Sequence, residues 1–88
     1  MNYDYNKLKA ASFTDKGQRN LLKVRDAANE CFEQAGAFMM FSVLGGIANT
    51  AADTWEMMSY VDRLVELGEI REVTGPSVMG QHRVFVKA

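Results

Sequence analysis

Cys31 and His82 are the only cysteine and the only histidine in the 88 residues. A structural zinc site takes about four such ligands, so no metal centre is expected. A single cysteine cannot close a disulfide within one chain. A Ser–His–Asp or Cys–His set would have to be built on His82, which falls in a β-prone run, so no catalytic residues are assigned. The pair Gly45-Gly46 lacks the further glycines and the lysine of a phosphate-cradling loop. The expectation is a chain that is not an enzyme and carries no cofactor.

What remains is the chemistry of contact. Lys7, Lys9, Lys16, Arg19, Lys23 and Arg25 crowd the first third of the chain. They either track a phosphate backbone or form a solvated helix face. Trp55 is either a contact to a base or partner, or a half-buried packing residue. Met39, Met40, Met57 and Met58 read as core filler, with an adaptable binding groove as the sharper alternative. Cys31 sits on an apolar stripe and reads as core; His82 reads as an ordinary strand histidine. The net charge is −1, unevenly spread. Residues 35–67 hold only Arg63 against Asp53, Glu56, Asp62 and Glu66, so an acidic middle lies between more basic ends. Strong non-specific nucleic-acid binders are more basic than this.

These residues must be held by one small domain. Apolar residues make up 48% of the chain and charged residues 24%, which suits a soluble globular fold. No apolar run approaches the roughly 20 residues of a membrane span. Residues 1–5, Met-Asn-Tyr-Asp-Tyr, show no basic start followed by an apolar stretch. A cytoplasmic protein with no membrane partner is the expectation. Residues 1–16 lack a sustained period and read as a loose N-terminal arm, with a short helical turn near residues 5–11. Residues 17–88 read as the domain. Leu21, Val24, Ala28, Cys31, Phe32 and Ala35 recur at helical spacing over residues 18–35. Thr14 or Asp15 is a suitable cap before that helix and Gly36 a suitable stop. A short strand is expected over residues 37–41, then a short helix over 43–50 capped by Ser42. The alternative is that residues 37–41 start that helix. Asp53-Thr54-Trp55-Glu56 resembles a capping box. Met57, Met58, Val61, Leu64 and Val65 then mark a longer helix. Gly68 follows where a left-handed residue ends a helix. Two β-prone runs, 70–74 and 81–87, flank Gly75-Pro76-Ser77 and Gly80 as a hairpin.

The segment FSVLGGIANTAADTWEMMSYVDRLVELGEIREV, residues 41–73, resembles the winged helix-turn-helix DNA-binding families of bacteria and phages. The resemblance extends over residues 18–87. It implies an α+β, mostly helical winged helix: three helices with a helix-turn-helix, a short strand and a C-terminal β-hairpin wing. Residues 42–50 correspond to the first helix of the motif, 51–53 to its turn, 54–67 to the recognition helix and 70–87 to the wing. By this resemblance Thr54, Trp55, Glu56, Ser59, Tyr60 and Arg63 face the major groove, and Gln81, His82 and Arg83 are the wing contacts. The implied function is a small transcriptional regulator on double-stranded DNA, dimerising through its arm and first helix. Only Arg63 is basic on the recognition helix, while Glu56 and Asp62 repel phosphates. The acidic helix favours the second reading, a winged helix that serves as a protein–protein interaction module or accessory or assembly subunit.

Overall fold

The computed structural model describes residues 3–40, 54–75, 78 and 80–88, apart from the side chains of Thr54 and Gln81. The expected short helix over residues 43–50, its turn over 51–53 and the start of the capping box lie outside the described residues. Within them the protein is α+β and mostly helical, with three α-helices and a three-stranded antiparallel sheet.

The helical turn expected near residues 5–11 is present, but residues 3–13 pack on the rest of the fold rather than lying loose. Asp4 caps a short helix α1 (Tyr5–Leu8), its carboxylate accepting from the Asn6 N–H at 3.0 Å. A 3-10 segment, Lys9–Phe13, follows, and both pieces lie against α3, the helix described below. Helix α2 (Asp15–Ala35) begins three residues earlier than the apolar spacing indicates. The Thr14 hydroxyl accepts from the Gly17 N–H at 2.9 Å and Asp15 sits in the first turn, where the helix dipole favours an anion. Gly36, at φ 77°, ends α2 in the left-handed conformation.

Strand β1 (Ala37–Met39) is shorter than the expected 37–41, because Met40 is already helical. The period-two alternation turns Phe38 into the core and leaves Met39 exposed, so Met39 is not core filler, whereas Met40, Met57 and Met58 are. Helix α3 (Thr54–Glu66) ends on Gly68, at φ 78°. The Gly68 N–H donates to the Val65 carbonyl and the Glu69 N–H to the Leu64 carbonyl, both at 3.0 Å. This paired closure satisfies two carbonyls that a helix end leaves open. Strands β2 (Ile70–Glu72) and β3 (Val84–Lys87) form the expected hairpin, in the register Ile70↔Lys87. A 3-10 turn, Gly80–His82, precedes β3, so His82 is exposed in a turn rather than set in a strand.

The strand order is β1-β3-β2. Phe38 and Phe85 are register partners with ring centroids 5.2 Å apart, and Phe32 lies 5.4 Å from Phe38. This aromatic run joins the sheet to α2. Leu21, Val24, Ala27 and Ala28 of α2 share one core with Met57, Val61 and Leu64 of α3 and with Ile70 and Phe85. Cys31 and Trp55 pack partly buried against it.

Two glycines carry different constraints. A Cβ on Gly17 would stand 1.7 Å from the Ala11 carbonyl oxygen, whereas one on Gly68 would meet nothing within 4 Å. The first is a backbone overlap that the N-terminal segment must relieve by moving. The second is dihedral strain alone. In chemical unfolding, Gly17→Ala should lose about 2 kcal/mol or more, near the upper part of the overpacking range. Gly68→Val should lose about 1 kcal/mol, the left-handed penalty of an L side chain. Equal losses would refute the close approach at Gly17.

Candidate interaction face

Trp55, Glu56, Ser59, Tyr60 and Arg63 all lie on α3, and His82 and Arg83 on the hairpin, as the sequence indicated. Their surroundings differ from the expected groove-facing set. Ser59 and Tyr60 do not face outward: they are 0% and 1% exposed. The Ser59 hydroxyl donates back to the Glu56 carbonyl at 2.6 Å, and the Tyr60 hydroxyl donates to Glu56 Oε2 at 2.8 Å. A helix that packs against α2 on one side and is covered by the N-terminal segment on another buries more than one stripe. Polar tips on that buried surface then find partners within the helix.

Arg63 is half-buried and donates to Glu66 one turn on, with its guanidinium 5.1 Å from the ring centroid of Phe13. The Tyr5 hydroxyl also donates to Glu66, at 3.1 Å. Hydrogen bonds from Arg63 and then Tyr5 hold the Glu66 carboxyl below its ordinary pKa. Burial raises the Tyr5 pKa, and its bond to Glu66 adds to the rise. Lys9 stands 3.9 Å from the same carboxylate. The outer surface of α3 near Arg63 is therefore occupied by the N-terminal segment, in an arrangement that sequence spacing does not reveal.

Arg83 lies deeper. Its Nη2 donates to Asp62 Oδ1 at 2.7 Å and to Glu72 Oε1 at 2.8 Å. Nε donates to Glu72 Oε2 at 3.1 Å and Nη1 to Asp62 Oδ2 at 3.3 Å. The guanidinium thus forks onto two carboxylates, one from α3 and one from β2. Thr74 Oγ1 donates to Glu72 Oε2 at 2.7 Å. The Tyr3 hydroxyl donates to Asp62 Oδ2. Burial works against the arginine's charge, but the bonds to Glu72 and Asp62 outweigh it and hold its pKa above the ordinary value. The hydrogen bond from Arg83 keeps the Glu72 carboxyl low against the opposing effect of burial. For Tyr3, burial and then the bond to Asp62 push the phenol up.

Among the six basic residues of the first third, Lys7, Lys16, Arg19 and Lys23 are exposed. His82 is exposed as well, and Gln81 lies beside it in the 3-10 turn. Sequence reasoning missed Tyr3, Phe13 and Glu72 as members of this face, and read Asp62 as a repulsive charge rather than as a partner of Arg83. Their partners are distant in the chain, so no local pattern marks them. Comparison with family models, with curated proteins and with solved structures finds no match.

The Arg83 bridge has two measurable consequences. Arg83→Met leaves two half-buried carboxylates facing each other without a cation, and should cost about 2 kcal/mol or more in urea unfolding. Arg83→Lys should recover little of this, since an ammonium cannot fork onto two carboxylates. The folded pKa of Glu72 is lowered, so its contribution is present above the ordinary carboxylate pKa and is lost as pH falls through the lowered folded value. Melting temperature should fall in that acidic window, and the fall should be shallower in Arg83→Met. An unchanged acid limb would refute the role given to this pair.

Proposed function

We propose that the chain is a winged-helix module that works through protein contact, as an accessory or assembly subunit, rather than by reading DNA sequence. The winged-helix assignment is supported by the order α2, β1, α3, β2, β3 and by the antiparallel strand order β1-β3-β2, with the β2–β3 hairpin as the wing. The observation that carries the functional reading is the double fork of Arg83. The wing arginine that would meet a phosphate is already bonded to Asp62 and Glu72. Releasing it would expose both carboxylates toward the DNA backbone. On α3, Ser59 and Tyr60 are buried and Arg63 is bonded to Glu66, so three of the side chains expected in the groove are engaged within the molecule.

The DNA-binding regulator is the second reading, and one observation favours it. Lys16, Arg19 and Lys23 stand exposed on α2 and are spaced to follow a phosphate backbone. Titration of the full chain with a mixed-sequence duplex pool at low salt separates the two. The expected result is no saturable binding. Saturable binding with a log–log salt slope of about −3 to −5, together with a loss of sequence preference in Arg63→Ala, would establish the DNA reader and overturn the proposal.

A further inference from the structure

Leu22 on α2 is 45% exposed, and Leu67, just past α3, is 50% exposed. The two flank an open groove of about 320 Å³, floored by Leu21 and Leu64. Leu67 lies four residues beyond Arg63, which the exposed ring of Phe13 covers, so apolar surface continues along this side of α3. The groove carries one charge of each sign, Arg25 from α2 and Glu69 from the turn after α3. Arg25 stands 3.6 Å from its chain neighbour Asp26 on an exposed surface. Arg25 and Glu69 make no ion pair with each other.

We infer that this groove seats a second copy of the chain in a two-fold symmetric dimer, with Leu22 and Leu67 at its centre and Arg25 of each copy against Glu69 of the other. A partner of uniform charge would be attracted by one of these groups and repelled by the other. A two-fold axis instead turns the pair of opposite charges into two matching ion pairs, because an isologous interface sets residue i on j and j on i. Two exposed leucines brought together from each copy supply the desolvated centre that such an interface needs. The proposal names a partner for the protein-contact reading and rests on it only in that respect.

The test is sedimentation equilibrium of the full chain over a wide concentration series. The wild type should show a monomer–dimer equilibrium, and Leu22→Asp should weaken it by about tenfold or more. Arg25→Glu and Glu69→Arg each place like charges together at both contacts, so each should weaken self-association. An equimolar mixture of these two variants restores both ion pairs and should return to the wild-type affinity. Both positions lie at the surface, and circular dichroism of each variant checks that it remains folded. A wild type that stays monomeric throughout overturns the dimer, as does a mixture that fails to associate. Either result leaves the duplex titration unaffected, so failure of the dimer and failure of the protein-contact reading are distinguishable.

Discussion

Arg83 is where the separate pieces of this fold meet. Its guanidinium joins α3 through Asp62 and β2 through Glu72. Its carbonyl accepts from the Met40 N–H at 2.7 Å, extending the pairing of β1 with β3 by one rung. Its cation stands 5.2 Å from the ring centroid of Phe85 in the core. Tyr3 brings the N-terminal segment to the same carboxylate of Asp62. A half-buried cation of this kind is stable only while its partners remain, since removing one carboxylate leaves charge without solvent or counter-charge. The interaction therefore constrains the relative placement of α3, the hairpin and the N-terminal segment more tightly than apolar packing alone, which tolerates sliding.

That constraint bears on what α3 is able to do. A helix that reads a groove must keep one face polar, projecting and free of internal partners. Here several polar groups on α3 already have partners: Tyr60 bonds Glu56 and Arg63 bonds Glu66 within the helix, the latter beneath Phe13, while Asp62 bonds Arg83 and Tyr3. The N-terminal segment covers the side of α3 around Arg63 and Glu66. Among the described residues, exposed basic side chains stand along α2 and an open groove lies at its junction with the end of α3.

The parts of the fold governed by local rules were legible in the sequence. Thr14 and Gly36 bound α2 because a hydroxyl cap and a left-handed stop act within one turn. Gly68 follows the same logic for α3, and the two β-prone runs around Gly75 and Gly80 pair as a hairpin. The N-terminal segment was legible as a short helical turn near residues 5–11, but not in its packing on α3, because a four-residue helix followed by a 3-10 segment is too short to establish a period of 3.6 and mark a buried face. Nor was the burial of Ser59 and Tyr60. Spacing assigns one apolar stripe to a helix, and a second covering from Tyr3, Tyr5 and Phe13 comes from residues far away in the chain. Arg83 was singled out for its charge, but its carboxylate partners lie on two other elements, where sequence spacing has no reach. The candidate site was legible as a set of positions and not as a set of environments.

The strand order has a consequence for synthesis. β3 follows β1 and β2 in the chain, yet it lies between them and, among the described residues, supplies the rungs that both of them make. Until residues 84–87 leave the ribosome, β1 and β2 have no ladder partner, and Phe38 has no Phe85 on which to stack. Among the described residues, α1, the 3-10 segment, α2 and α3 are able to dock on one another before that point. β2 and β3 then close as a local hairpin, while β1 and β3 join across a long stretch of chain, which is entropically the slow kind of contact. A pause or truncation just short of Val84 would release a helical intermediate with its aromatic run uncovered.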